Sequence, residues 1–451
     1  MKQSPMKTPA KLIIHLSTVC LLMLTLIPSR SASQVFYDLS RCITTGIEHN
    51  FSILVSRNRE EIASNNYTRG NAGYLPTITM SGRYGGAVTA TRQNLSSGSK
   101  NITTGIHNSS ANAGVGLEWS VFNGFKAQTT YGKLSELKKL GELNSQIAIE
   151  NLVADITTEY FYYIQQLNLY ENLSYAVALS RERVRIDEQR YLLGSGSKLQ
   201  LLQSVVYLNA DSSRYAKQRE ILRASQIRLN ELMANEDLGA LLVVKDSVIQ
   251  IREDLLFDQL LKETLIMNTS LRIAAKNQTI SEFDLKIIAS QSYPYLNFTS
   301  GYGQTYNKYE TGTVNNQRAG AVSYGLSFGM DLFDGLNRKR EIANAKVEIE
   351  NKKYQYKEIE QQVRADLLTV FYAYQNNLGL LKLEEQNLSA ARENLEIALE
   401  RYKLGNLSGL ELREVQKSYL DAEERLISVK FLTKLAEISL LQISGRVMDY
   451  I

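Results

Sequence analysis

The sequence contains few of the residues on which catalysis, metal binding and disulfide bonding depend. Its 451 residues include 2 cysteines, 3 histidines and 5 prolines. Cys20 lies in an apolar N-terminal run, which leaves Cys42 without a partner for an intrachain disulfide. Metal sites and nucleophile–base pairs require clusters of histidine, cysteine and carboxylate side chains, and the mature chain offers only His49 and His107 as histidines. We therefore expect no enzymatic activity, no cofactor and no metal site.

Long hydrophobic runs are also scarce, and the one near the N-terminus has the form of a signal peptide. Lys2, Lys7 and Lys11 precede the apolar residues 12–27, and small residues follow before Gln34. Such a run of about 16 residues is shorter than the ~20 that a membrane-spanning helix needs. The sequence predicts a signal peptide over residues 1–33 and no transmembrane helix in the mature chain.

The mature chain has no excess of charge of either sign. The whole sequence holds 51 basic and 47 acidic residues, but residues 1–33 contain four of the basic residues and none of the acidic ones. The mature chain therefore carries 47 of each. Because nucleic-acid binding calls for a basic face, we expect no nucleic-acid partner.

An internal repeat determines the predicted architecture. The segment 191–197 (YLLGSGS) recurs 211 residues later as 402–408 (YKLGNLS), and the same offset relates Phe122-Asn123-Gly124 to Phe333-Asp334-Gly335. Each half then contains a helix, two strands, a very long helix, a tight turn and another helix. We predict a first repeat over 34–237, a linker over 238–258 and a second repeat over 259–451.

The long helix of each repeat carries the pattern of a coiled coil. In the first repeat it is predicted from Lys126 to Leu193, about 100 Å at ~1.5 Å per residue. Apolar and aromatic residues alternate steps of four and three along both long helices, which indicates a coiled-coil seam. These positions are Leu152, Ile156, Tyr160, Tyr163, Leu167, Tyr170, Ser174 and Val177, and then Val363, Leu367, Phe371, Tyr374, Leu378 and Leu381.

Two shorter helices in each repeat are predicted to stack end to end against the long one. One follows the glycine turn, over 198–235 and 409–446, and the other precedes Pro76 or Pro294, over 39–67 and 256–291. Neither alone is as long as its partner. Together they have about the required length.

After each proline the pattern changes to alternation, which predicts four strands per chain. Val322, Tyr324, Leu326 and Phe328 alternate with small or polar residues, as a strand with one apolar face would. A soluble sandwich and a membrane barrel share this pattern, but the strand lengths and the polar loops predicted at 91–105 and 310–318 favour the barrel. Because a closed barrel needs at least ~8 strands, four strands require oligomerisation.

Short motifs in this duplicated order resemble the TolC-like outer-membrane efflux protein family across essentially the whole mature chain. They are Leu39-Ser40-Arg41-Cys42-Ile43, Tyr74-Leu75-Pro76, Tyr293-Pro294, Leu332-Phe333-Asp334-Gly335 and the turns at Gly194 and Gly405. The resemblance implies a mixed α/β membrane protein, mostly α. It would have a long coiled-coil helical barrel in the periplasm and four transmembrane β-strands per chain that contribute to a trimeric 12-stranded β-barrel.

The resemblance also implies a function, a location and partners. The chain would be an outer-membrane channel subunit of a tripartite efflux or type I secretion system, a passive exit duct from the periplasm. Its partners would be two further copies in a homotrimer, a periplasmic adaptor protein, an inner-membrane transporter of RND, ABC or MFS type, and outer-membrane lipid. The alternative is a secreted trimeric coiled-coil stalk or adhesin, which would conduct nothing. The pump selects the substrate, so the sequence does not identify it.

The helix turns carry the functional residues that the resemblance implies. Adaptor docking would fall to Leu193, Gly194, Ser197, Leu404, Gly405 and Ser408, and the periplasmic gate to Gln200, Tyr402, Glu411 and Glu414. Gln200 and Leu407 stand where efflux members often have an acid and a base, so the gate would rely on Tyr402 and packing. Two structural alternatives remain: the glycines end helices, and Glu411 forms a capping box with Ser408.

Overall fold

Two helical hairpins and a four-stranded antiparallel sheet make up most of the chain, in a computed structural model that describes residues 36–246 and 248–451. The first repeat contains β1 (Phe36–Tyr37), α1 (Leu39–His49), α2 (Phe51–Asn66), β2 (Thr77–Asn94), β3 (Lys100–Asn123), α3 (Lys126–Leu192) and α4 (Lys198–Leu232). The second contains β4 (Val243–Val244), α5 (Phe257–Met267), α6 (Thr269–Ser290), β5 (Tyr295–Lys308), β6 (Asn316–Gly329), α7 (Asn337–Lys403), α8 (Gly409–Ile443) and a 3-10 turn (Val447–Tyr450).

The fold is mostly helical with a small antiparallel sheet, as predicted, and the element order repeats. The predicted signal peptide at 1–33 lies outside the described residues. The exact repeat bounds at 237 and 259 stay a prediction.

The long helices α3 and α7 each span 67 residues, or about 100 Å. The buried residues of α7 form one narrow stripe. Five of them follow at steps of seven or fourteen, and these are Leu367, Tyr374, Leu381, Leu395 and Tyr402; Ala398 lies between the last two. This is the heptad seam that the sequence predicts, and it packs against α8 and α6.

The predicted seam of α3 is correct over its first half and wrong beyond Tyr170. Leu152, Ile156, Tyr160 and Tyr163 are buried, but Ser174 is exposed. The buried positions that follow are Asn172, Ala176, Ser180, Arg183 and Asp187. This stretch buries polar side chains because α4, α7 and α8 supply hydrogen-bonding and ionic partners for several of them.

The helices that precede the prolines are each broken in two, which the sequence interpretation missed. Single helices over 39–67 and 256–291 were expected, but α1 ends before Asn50 and α5 ends before Asn268. In both repeats the residue at the break is an asparagine that caps the next helix.

Each of these asparagines joins three helix ends. The side chain of Asn50 accepts a hydrogen bond from the Ser52 N–H at 2.9 Å and donates one to the Leu232 carbonyl at 3.0 Å. Asn268 likewise donates to the Ile443 carbonyl at 2.9 Å. The start of α2 is therefore fixed to the end of α4, and the start of α6 to the end of α8. This is how two short helices stack end to end against a long one.

The sheet has the strand order β2-β3-β5-β6, so the repeats meet at β3 and β5. Met80, Val115, Tyr302 and Val322 lie side by side across all four strands. Their side chains share one face and are 46 to 85% exposed. The predicted alternation is confirmed, and the apolar face of the sheet lies open.

The first hairpin is longer than predicted. A loop was expected over 91–105, but β2 and β3 remain paired as far as Asn94 and Lys100, which leaves 95–99 as the loop. The polar sequence suggested a loop, yet β-branched residues such as Ile102 and Thr103 suit a strand and pair with Arg92 and Thr91. The second hairpin turns at 309–315, close to the prediction.

The strand-to-helix junctions of the two repeats adopt the same unusual backbone. Gly124 and Phe125 both have positive φ, +65° and +66°, and Gly335 and Leu336 repeat this at +70° and +65°. At Gly124 a Cβ atom would lie 2.2 Å from the Ser290 carbonyl oxygen, so only glycine fits. These two-residue turns redirect the chain from the sheet into the long helices.

The middle of α3 packs against the linker and the C-terminus. Ile156 and Tyr160 belong to a core that includes Leu242, Ile249 and Val447. The Tyr160 hydroxyl donates to Asp246 at 2.7 Å. This core anchors the non-helical segments near the midpoint of the long helix.

Candidate functional site

The two helical hairpins end in turns of nearly identical geometry. Gly194 and Gly405 have φ of +76° and +83°. The following N–H groups, of Ser195 and Asn406, donate to carbonyls in the last helical turn at 2.9 Å, and the glycine N–H groups donate at 3.0 to 3.1 Å. These are Schellman motifs, in which a left-handed residue satisfies the last carbonyls of the helix.

The predicted docking residues lie at these turns. Leu193 and Leu404, each just before its glycine, are 83% and 76% exposed. Ser197 and Ser408 are the N-caps of α4 and α8. The two hairpin tips therefore expose equivalent leucine side chains, whereas their serine hydroxyls are bonded within the turns.

Two of the predicted gate residues complete capping boxes. The Ser197 hydroxyl accepts from the Gln200 N–H at 3.2 Å and the Gln200 side chain accepts from the Ser197 N–H at 3.2 Å. Ser408 and Glu411 form the same pair at 3.2 and 2.9 Å. Bonds from the backbone and hydroxyl of Ser408 lower the pKa of the Glu411 carboxyl. Glu414, one turn further on, is exposed.

Tyr402 lies at the centre of a contact between the two hairpins. Its side chain is 2% exposed, and its hydroxyl donates to the Asp187 carboxylate on α3. Arg190 lies over the Tyr402 ring at 4.6 Å and donates to the Tyr402 carbonyl. Burial, followed by the bond to Asp187, raises the pKa of the Tyr402 hydroxyl, which therefore remains a donor.

A second contact joins the hairpins through a buried ion pair. Arg413 on α8 binds both carboxylate oxygens of Asp211 on α4 at 2.7 and 2.8 Å, and the Ser180 hydroxyl also donates to Asp211. Burial opposes the charge on Asp211, but the bonds from Arg413 and Ser180 outweigh it and lower the pKa of the carboxyl. The Arg413 guanidinium also lies 5.1 Å from the Tyr207 ring centre.

A polar cleft of about 840 Å³ separates the two tips. Gln200, Tyr402 and Glu411 all line it, so the structure brings three of the four predicted gate residues together. Arg183 also lines it and is 3% exposed, with one guanidinium nitrogen that has no hydrogen-bond partner among the described residues. The cleft is therefore built from both hairpins of the same chain.

Comparison with known proteins gives a family match for most of the second repeat. Residues 260–446 match the family model described as outer membrane efflux protein. This stretch of the chain is similar to that family. The resemblance predicted from the duplicated motifs is confirmed. A comparison with curated protein sequences returns no significant match.

Solved structures of similar fold extend the comparison to the whole described chain. VceC from Vibrio cholerae matches with a TM-score of 0.73 and 16% identity, over 90% of this chain and 96% of VceC. The CmeC outer membrane channel of Campylobacter jejuni gives 0.75 and 16%, over 90% and 85%. The MtrE outer membrane channel of Neisseria gonorrhoeae gives 0.67 and 18%, over 90% and 88%. The chain therefore shares its fold with these proteins over both repeats.

None of the helices in 36–246 and 248–451 is long and apolar enough to cross a membrane. Within the same residues, no group of three or more histidine, cysteine and acidic side chains is placed to hold a metal ion.

Sequence reasoning missed the charged residues of α3 that lie near Tyr402. Arg183, Asp187 and Arg190 are spaced by four and three, but they are in phase with the observed buried stripe of α3 and not with the predicted seam, which would continue to Arg181 and Val184. Charged residues at such positions predict a solvent-exposed face of the helix. Tyr402, the partner of Asp187 and Arg190, lies on α7, which follows more than 200 residues later in the chain.

Proposed function

We propose that the chain is one subunit of an outer-membrane channel, the passive exit duct of a tripartite efflux or type I secretion system. The observation that carries the proposal is the continuity of two unlike surfaces. A sheet with an exposed apolar face passes through two tight junctions into helices about 100 Å long. The sheet suits lipid, and the helices suit an aqueous compartment of that depth. The relatives are channels rather than enzymes, which supports a role without catalysis.

The sheet requires other copies of the chain. Four strands are too few to close a barrel, and an open edge cannot face hydrocarbon because its backbone groups would lack partners. Three copies would supply twelve strands, with the apolar face towards outer-membrane lipid and the small polar face towards water. The partners of this homotrimer would be a periplasmic adaptor and an inner-membrane transporter of RND, ABC or MFS type.

We assign docking and gating to the hairpin tips. The exposed Leu193 and Leu404 beside Gly194 and Gly405 would meet the adaptor, with Ser197 and Ser408 holding the turns in shape. The gate would rest on Tyr402, whose bond to Asp187 joins the two hairpins. Gln200 and Glu411 would contribute through their caps, and Glu414 through its exposed charge.

Conductance of purified protein tests the proposal. The protein, expressed with its own N-terminus, should partition with the outer membrane, run as a trimer and form discrete channels in a planar bilayer. A closed gate could hide conduction, so Asp187→Ala serves as a loosened variant beside the wild type. Trimers that conduct in neither form would support the stalk or adhesin alternative.

A further inference from the structure

The polar cleft between the hairpin tips contains a buried positive charge without a partner. Arg183 lines this cleft and is 3% exposed, and its Nη1 atom has no hydrogen-bond partner among the described residues. Burial of an unpaired charge is costly, and it lowers the pKa of the Arg183 guanidinium. An arginine nevertheless stays protonated in a protein. The Arg183 side chain therefore calls for a negatively charged ligand.

The acids nearest to Arg183 are already engaged by other groups. Asp187, one turn further along α3, accepts a hydrogen bond from the Tyr402 hydroxyl. Asp211 on α4 is bound through both of its oxygens by Arg413. Within 36–246 and 248–451, no carboxylate forms an ion pair with Arg183. The charge on Arg183 is therefore not neutralised by the side chains around it.

The lining of the cleft has one positive charge in excess. Three of its residues are basic, Arg183, Arg190 and Lys403, and two are acidic, Asp187 and Glu411. Arg190 donates to the Tyr402 carbonyl, which carries no charge. A ligand with a single negative charge would balance this lining.

Uncharged donors line the same cleft. The Gln200 side chain uses its oxygen for the helix cap, which leaves its amide N–H groups free. The helix α8 begins beside the cleft, because a Cβ atom on its first residue, Gly409, would lie 3.7 Å from the Tyr402 hydroxyl. The first N–H groups of a helix have no partner within the helix and carry a partial positive charge. Donors from both hairpins therefore surround the space next to Arg183.

We propose that this cleft binds one monovalent anion, either chloride or the carboxylate of a small acid, against the Arg183 guanidinium. A guanidinium and polarised N–H groups suit both ligands. A dianion such as sulfate would place an extra negative charge near Asp187 and Glu411 and is disfavoured. The bound anion would join Arg183 on α3 to the start of α8 and so hold the two hairpin tips together. Only its effect on gating rests on the proposed channel.

Line broadening in chloride NMR tests the site on the purified full-length protein in a non-ionic detergent. Chloride that exchanges with a protein site gives a broadened signal, so the excess line width measures binding. Arg183→Gln removes the charge and should weaken chloride binding by about tenfold or more, the loss expected for one charge-assisted hydrogen bond. Arg185→Gln is the matched control, because Arg185 lies two residues away on α3 and pairs with Glu182 at the surface. Its excess line width should equal that of the wild type.

Competing anions test the charge of the ligand. Acetate should remove the excess line width of the wild type if a carboxylate fits the site, whereas no displacement by acetate would restrict the site to chloride. Sulfate at the same ionic strength should displace less chloride than acetate does. Stronger displacement by sulfate would overturn the assignment of a monovalent ligand.

A second measurement applies if Arg183→Gln does not fold. Crystals of the wild type grown with bromide should give an anomalous-scattering peak within hydrogen-bond distance of the Arg183 guanidinium. A cleft without bromide, or equal line widths for the wild type and a folded Arg183→Gln, would overturn the inference. Because the site lies within one chain, chloride binding by a monomer that forms no channel would support the anion site and refute the proposed function.

Discussion

Removing the Tyr402 hydroxyl should open the periplasmic end of the proposed channel. Tyr402→Phe keeps the ring, its packing and its contact with Arg190, but Asp187 loses a donor. A hydrogen bond to a charged group contributes about 1.5–3 kcal/mol. Three such bonds that break together would shift the closed–open equilibrium by about 4.5–9 kcal/mol, or roughly three to six powers of ten at ~1.4 kcal/mol per tenfold change.

The assay is single-channel recording on purified trimers in planar bilayers, with open probability as the readout. A second readout is entry of a large hydrophilic antibiotic into cells that carry the variant. Both should rise in Tyr402→Phe and in Asp187→Asn, and the double variant should add little because both changes remove the same bond.

Tyr374→Phe is the matched control. Tyr374 occupies the same heptad stripe of α7, is also buried, and donates its hydroxyl to the Arg252 carbonyl in the linker. It lies 28 residues from Tyr402, or about 42 Å along the helix. Loss of the Tyr374 hydroxyl should lower the stability of the protein without changing the open probability of the channel. If Tyr402→Phe behaves like Tyr374→Phe, the hydroxyl has only a structural role.

Four further predictions follow from the structure. Asp211→Ala leaves Arg413 without its partner and should cost about 3–5 kcal/mol in unfolding experiments. Because the pKa of the Asp211 carboxyl is lowered in the folded state, its contribution to the free energy of unfolding is present at neutral pH and is lost as the pH falls below about 4. The thermal unfolding temperatures of the wild type and Asp211→Asn should therefore converge below that pH. Paired Leu193→Asp and Leu404→Asp should abolish adaptor cross-linking but keep the trimer. If the carboxylates of Glu411 and Glu414 form a ring at the channel mouth, the double variant Glu411→Gln with Glu414→Gln should reduce cation selectivity, measured as the reversal potential in a salt gradient. The helix cap should survive the change, because Gln200 forms the same cap in the first repeat.

The sequence predicts those features that depend on local periodicity. The helix from Lys126 ends within one residue of its prediction because no proline interrupts it and the turn at Gly194 has an unambiguous signature. The strand alternation after Pro294 is also confirmed. In each case the neighbours in sequence determine the structure.

Features that depend on distant neighbours were missed. Asn50 breaks a helix because the carbonyl of Leu232, far along the chain, accepts its side-chain N–H. Asp187 reads as a surface acid until α7 brings Tyr402 against it. Neither partner can be identified from local pattern, since many asparagines and acids occupy similar helical positions.

The internal repeat also indicates which contacts would hold the proposed gate closed. In the proposed trimer, a seam between neighbouring copies that uses the surfaces equivalent to those joining the two repeats would bring other residues together. Adding or subtracting 211 gives these residues from those of the two inter-hairpin contacts. The Tyr402–Asp187 contact becomes Tyr191 with Ala398, and the Arg413–Asp211 contact becomes Leu202 with Ala422. Both carboxylates are replaced by alanine, so neither polar contact has an equivalent at the proposed seam between chains.

Because the polar contacts join hairpins of one chain, each subunit of the proposed trimer would restrain its own share of the gate. A trimer with one Tyr402→Phe subunit should lose one of three bonds, and its open probability should lie between those of the wild type and the full variant. If the contacts instead acted across the seams, substitution at Ala398 or Ala422 would dominate, and Tyr402→Phe would have little effect. Mixed trimers built from linked subunits therefore distinguish restraint within chains from restraint between them.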